Sequence, residues 1–208
     1  MEAMVKVLPL GHSCFKISGK GGSIVVDPFY PEATGLSWKR QKADLVLVSC
    51  DLEEYNNIEG VGEVSYVATG PGEYEVSGTK VLGIRTGGGN TVYEFTVDEV
   101  TFLHLGGLNR ILNEEELQEI SEIDVLFVPT GGVEVLDFEK AAQVVAQIEP
   151  RLVVPMHYQG DTEELSKYSP VEKFIEEMGE ELERRAQLKF KSRADLPEET
   201  EVIVLVTQ

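Results

Sequence analysis

The residues of this 208-residue chain that could do chemistry are few: three histidines, two cysteines and scattered carboxylates. The densest group is Ser49-Cys50-Asp51-Leu52-Glu53-Glu54-Tyr55, which sets a thiol beside three carboxylates. It follows the unbroken apolar run of residues 45–48, the mark of a strand buried on both faces. Polar side chains delivered at the C-terminal end of such a strand are where α/β folds tend to build sites. Cys50 and Asp51 are therefore candidate catalytic groups, yet the segment holds no histidine. His12 stands in a Gly-His-Ser turn, His104 within an apolar stretch expected to be a strand, and His157 directly after the run 152–155. Asp27 opens an Asp-Pro-Phe turn, where its carboxylate is expected to accept backbone N–H groups.

The elements that must position these residues follow from periodicity and punctuation. Residues 5–8, 14–17 and 23–27 are expected as strands, and residues 30–42, with Trp38, as an irregular loop that could cover a cleft. Residues 52–55 are expected to begin a short helix. Residues 73–76 and 80–85 flank Ser77-Gly78 as a hairpin, and residues 91–97 and 100–105 flank Asp98-Glu99 as another. Residues 86–90 are expected as a flexible loop. Helices then enter: Asn113 with Glu116 forms a capping pair, and Asp137 caps a helix that Pro150 stops. Ser169-Pro170 starts a helix that Gly179 ends. Strands are expected at 125–128, 152–155, 187–190 and 202–206. No 20- to 50-residue repeat and no Pro-, Gly- or Ser-rich linker divides the chain. One domain over residues 1–208 is expected, β-rich in its first half and α/β in its second.

The formal charge of −19 opposes binding to nucleic acid or to an anionic membrane, since both need positive surface. It leaves cationic partners open. No apolar run approaches the ~20 residues needed to span a bilayer. The start MEAMVKVLPLG has no basic region followed by a long apolar one, so a cytoplasmic protein is expected. Cys14 and Cys50 are too few and too far apart for a zinc knuckle or a disulfide framework.

Several strand ends carry a set of motifs in one order: Leu10-Gly11-His12-Ser13-Cys14-Phe15, Ile24-Val25-Val26-Asp27-Pro28-Phe29, the 43–57 stretch, His104-Leu105-Gly106-Gly107, Pro129-Thr130-Gly131-Gly132, and Val154-Pro155-Met156-His157-Tyr158. This order resembles the metallo-β-lactamase superfamily, and most closely its small bacterial Zn-dependent hydrolase branch, which includes the ascorbate-phosphate lactonase group. The resemblance implies an αββα sandwich, two mixed sheets between outer helices. It also implies one or two zinc ions held by a Thr/Ser-His-x-His-x-Asp-His segment, a middle-loop His, a bridging Asp and a distal His. Such ligands leave a position for water, whose pKa falls towards 7.

Set against that pattern, Cys50 stands at the first His, Leu52 at the second, Glu54 at the Asp and Tyr55 at the third His. Glycines 87–89 stand where the middle-loop His would fall, and Gly107 stands at the bridging Asp. Only His157 matches a ligand. The resemblance places His12, Asp27, Tyr55 and Gly107 along the cleft. Two readings follow. In the first, the chain keeps a hydrolase fold without cofactor, as a binding, regulatory or subunit-partner protein that forms a homo-oligomer or pairs with an active homologue. In the second, it hydrolyses an ester, lactone or phosphoester. That would use one zinc or other divalent ion on Cys50, Glu54 and His157, or Cys50 and His157 without metal.

Overall fold

The computed structural model describes residues 4–207; residues 1–3 and 208 lie outside it. Two mixed sheets face each other. The first runs, edge to edge, through Leu188–Phe190, Val5–Gly11, Cys14–Gly19, Gly22–Val26, Leu45–Leu47 and Tyr66–Ala68. The second runs through Glu201–Val202, Leu152–Met156, Val125–Pro129, Val100–His104, Asn90–Val97, Thr79–Gly87 and Gly72–Val76.

The apolar runs seen in sequence are the strands covered on both faces: Leu45–Leu47, Val125–Pro129 and Leu152–Met156 are buried at every residue. Their inward side chains fill the space between the sheets, with Val26, Leu47, Phe95, Phe102, Phe127 and Val154 in one continuous core. Helices α3 (Phe138–Ile148) and α4 (Val171–Met178) close the outer face of the second sheet, burying Ala141, Val144 and Phe174 against Leu126 and Val153. A thinner layer covers the first sheet, where Phe29, Val61 and Trp38 pack on Val25 and Val46. Together these make a four-layer αββα sandwich.

Local chemistry accounts for the connections. Ser77 and Gly78 both take positive φ (52° and 81°), the geometry of a two-residue hairpin turn whose twist matches the strands. Asn113 and Glu116 form a reciprocal capping box at the start of α2 (Glu114–Glu119). Asp137 accepts from the N–H of Lys140 to cap α3.

Several expectations are corrected. Residues 51–55 form a turn rather than a helix; the apolar spacing a helix needs is missing there. Residues 86–90 are not a flexible loop: Gly88 and Gly89 make a tight turn at positive φ, and Asn90 pairs with Gly87. Residues 30–42 hold a four-residue helix α1 (Pro31–Thr34) and a strand Gln41–Lys42, and Trp38 packs edge-on against Phe29. Residues 202–206 split between two pairings. Glu201–Val202 joins the second sheet, and Val204–Leu205 pairs with Arg184–Arg185.

Phe102 is fully buried and stacks with Phe95, Phe127 and Phe190 at centroid distances of 5.3, 6.2 and 6.3 Å, tying the two sheets through one aromatic column. Phe102→Ala should cost about 3–5 kcal/mol. It should be read as a lower urea midpoint at unchanged m-value.

Candidate functional site

Ser49 is held from three sides at the end of Leu45–Leu47. Its N–H and its hydroxyl donate to the two carboxylate oxygens of Asp27, at 2.8 and 2.7 Å, and its carbonyl accepts from Thr91 N–H at 2.9 Å. From the second sheet, the Tyr93 hydroxyl donates to the carbonyls of Val48 and Ala68. Gly106, at φ 57°, lies so close that a Cβ there would sit 2.3 Å from Ser49 Cβ. Asp27 thus anchors the neighbouring strand end rather than its own turn, as had been expected of it. Burial pushes its carboxyl up to about 7, against the two Ser49 hydrogen bonds that pull it down.

His104 is buried beneath this network. Gly106 N–H donates to its Nδ1 (3.2 Å), so the proton sits on Nε2, which donates to the Ser13 carbonyl at 2.9 Å. Burial lowers its pKa to about 4, so its 3.7 Å approach to Asp27 is not an ion pair at neutral pH. It is a satisfied core histidine.

His12 and His157 come together from the two sheets. Their rings lie 3.9 Å apart, and His157 N–H donates to the His12 carbonyl at 3.4 Å. Tyr55 Oη bonds His157 Nδ1 at 3.1 Å, and Tyr168 meets the His157 ring edge-on at 4.5 Å. Both nitrogens of His12 and Nε2 of His157 are buried without a partner among the described residues. Buried nitrogens left this way call for water, an ion or a ligand. Burial, and then the Lys167 ammonium, pushes His12 down to about 3. Burial, then His12 and Lys167, holds His157 well below the usual range. Both imidazoles are therefore neutral at pH 7, with one lone pair and one N–H each. His12, Asp27 and His157 all take positive φ (54°, 50° and 51°), a cluster of backbone strain at one edge of the fold.

Cys50 makes its hydrogen bond to another residue. Its thiol donates to Asn90 Oδ1 at 3.2 Å, and burial, then Asp27, pushes it up to about 11. His157 makes its hydrogen bond to Tyr55 instead, and among the described residues no hydrogen bond joins Cys50 to His157. Asp51 is exposed and accepts from Asn56 Nδ2 at 2.8 Å.

Sequence reasoning missed Asn90 and Tyr168. Asn90 Oδ1 accepts from Cys50 and from Gly107 N–H (2.8 Å), while its Nδ2 donates to Thr86 Oγ1 and the Leu105 carbonyl. Its bonds knit three strand ends together. The only signal was an asparagine after three glycines, which also fits a turn. Tyr168, buried and bonded to Glu134 Oε2 at 3.0 Å, sits in a connection with no motif.

A family model described as a beta-lactamase superfamily domain matches residues 6–157, ending at His157. The chain belongs to the metallo-β-lactamase superfamily. It is 30% identical over 193 residues to a "UPF0173 metal-dependent hydrolase" of Pyrococcus furiosus, covering 74% of this chain and 85% of the relative. A namesake from Pyrococcus horikoshii is 29% identical over 198 residues, covering 74% and 85%. Among solved structures, a putative Zn-dependent hydrolase of the superfamily from Thermotoga maritima superposes with a TM-score of 0.84 at 31% identity, over 99% of this chain and 100% of that one. Igni18, a metallo hydrolase of Ignicoccus hospitalis, shares the fold at 19% identity, with a TM-score of 0.68 over 90% and 98% of the two chains.

The superfamily's metal centre does not fit the residues at this cleft. Leu52 is 57% exposed and offers no donor. Gly107 has no side chain, and a Cβ added there would lie 3.1 Å from Cys50 Sγ and 3.3 Å from Tyr55 Oη, so those two groups crowd the place of a bridging carboxylate. Among the described residues no three His, Cys, Asp or Glu side chains are grouped to hold a metal ion; Cys50, Glu54 and His157 form no such group.

The buried titratable groups set the acid stability. All three histidines have folded pKa values below their ordinary 6.5, so the unfolded chain takes up protons that the folded one refuses. Their contribution is present above pH 6.5 and lost as pH falls towards 4. Asp27 acts oppositely: its folded pKa is raised from 3.8 to about 7, so its contribution is present below pH 4 and lost as pH rises to 7. Three protons against one leave a net of two near pH 5. Unfolding free energy should then rise by about 2–3 kcal/mol per pH unit there and flatten near pH 7. Urea titrations at a series of pH values measure this slope. A flat profile between pH 4.5 and 6.5 would contradict the burial of neutral histidines.

Proposed function

We propose that this metallo-β-lactamase-fold chain, one domain over its full length, binds a small ligand in its cleft without the superfamily's metal-activated water. It would act as a binding, regulatory or subunit-partner protein. One observation carries the reading. His157, the single position that keeps the superfamily's own ligand residue, gives its Nδ1 to Tyr55 Oη and packs at a tilt against the His12 ring, with no group of three metal-binding side chains among the described residues. The two neutral imidazoles instead give a polar-aromatic surface to a cavity of about 290 Å³, with Tyr55 and Tyr168 buried against the His157 ring. Such a surface suits an uncharged ligand carrying both hydrogen-bond donors and acceptors. No helix among the described residues is long and apolar enough to cross a membrane.

The test is metal content. Protein expressed with zinc, iron and manganese in the medium should retain far less than one metal ion per chain after desalting. Near-stoichiometric, tightly held metal would sink the proposal.

A second reading is hydrolysis of an ester, lactone or phosphoester at a rebuilt site. It is favoured by the relatives' description as metal-dependent hydrolases, and by the nitrogens of His12 and His157 that have no partner among the described residues. Under it, a panel of such substrates should reveal a turnover that falls at least about a hundredfold in His157→Ala, the usual scale for losing an acid–base group. The binding reading expects no turnover that His157→Ala changes.

A further inference from the structure

The flank of the sandwich beside Val5–Gly11 has features that the cleft does not use. Pairing between this strand and Leu188–Phe190 stops at Val7↔Leu188. Beyond that point Leu8 and Leu10, with Leu36, Trp38 and Gln187, line a cavity of about 390 Å³. A second cavity of about 290 Å³ shares Pro9, Gly11 and Leu36 with it and extends to His12 and His157.

The first cavity is unusual in its charge. Among the described residues Lys6 and Lys39 are its only charged lining residues, in a chain of formal charge −19. Neither lysine makes a salt bridge among the described residues. The walls are preorganised. Trp38 donates its indole N–H to the Gly60 carbonyl at 3.1 Å and meets the Phe29 ring edge-on at 5.1 Å. Gly11, at φ 119°, lets Leu36 seat so closely that an added Cβ would lie 2.9 Å from its methyl group. Walls of Leu8, Leu10, Leu36 and Trp38, with Ser37, Gln41 and Gln187 and two lysines in the same lining, match an apolar body with one anionic head. A fixed wall lowers the ordering cost of binding.

We propose that this flank groove binds a small amphipathic anion, its carboxylate or phosphate at Lys6 and Lys39 and its apolar body along Leu8, Leu36 and Trp38. The site is separate from the Tyr55–His157 floor and does not depend on whether the cleft is catalytic.

Trp38 is the only tryptophan of the chain, so its emission reports the groove directly. Titration with octanoate or octyl phosphate should give a saturable change in emission. Octylammonium should give none, and the Lys6→Glu/Lys39→Glu variant should bind the anion about tenfold more weakly. Saturation by either anion supports the site, and the stronger of the two identifies the head group. No saturable change overturns it, as does an equal response to octylammonium or an unaltered affinity in the charge-reversed variant. Should that variant fail to fold, amide chemical-shift changes in the unaltered protein decide. Shifts centred on Leu8, Leu36 and Trp38 support the groove, and shifts centred on Tyr55 and Tyr168 overturn it.

Discussion

A carboxyl group with no exposed surface must find donors inside the protein, and Asp27 finds both of them on Ser49. Those two bonds join the end of Gly22–Val26 to the end of Leu45–Leu47 and settle the direction in which residues 49–55 leave the sheet. The second sheet then closes on the same point, through Thr91 N–H on the Ser49 carbonyl and Tyr93 Oη on the Val48 carbonyl. The position of Cys50, Tyr55 and the pocket floor is a consequence of this one buried anchor. Burial disfavours the charged carboxylate while the Ser49 donors favour it, and desolvation is the larger effect.

The same dryness decides the chemistry of the cleft. Each histidine is held neutral by burial, and the Cys50 thiol is held protonated by it. A metal centre would need clustered anions or lone pairs with room between them. Here Tyr55 and Cys50 crowd the place beside Gly107, and Tyr55 occupies one nitrogen of His157. The scaffold is that of a hydrolase family, but chemistry belongs to the site it carries and not to the scaffold.

Much of the architecture was legible in the residues. The strands of residues 24–26, 45–47, 125–128 and 152–155 announce themselves as continuous apolar runs, because strands covered on both faces have no polar side. The hairpin turns and the Asn113 and Asp137 caps were legible for an equally local reason: each depends on residues within three or four positions. The short helix expected at 52–55 and the flexible loop expected at 86–90 failed where distant contacts overrule local signals. Asn90 is held by Leu105, Gly107 and Cys50, none of them near it in sequence.

The sequence by itself determined the fold, the superfamily and the absence of the usual ligand types at 52, 87–89 and 107, since these rest on residue identity and order. Only the tertiary structure decided how the remaining polar groups pair. It turned Cys50 towards Asn90 and Tyr55 onto His157, packed the His12 and His157 rings together with nitrogens that have no partner among the described residues, and placed two lysines without a salt bridge among those residues in the lining of the flank groove. Such pairings are set by distances between strand ends about 40 to 150 residues apart, as the Cys50–Asn90 and His12–His157 contacts are. No local propensity encodes those distances.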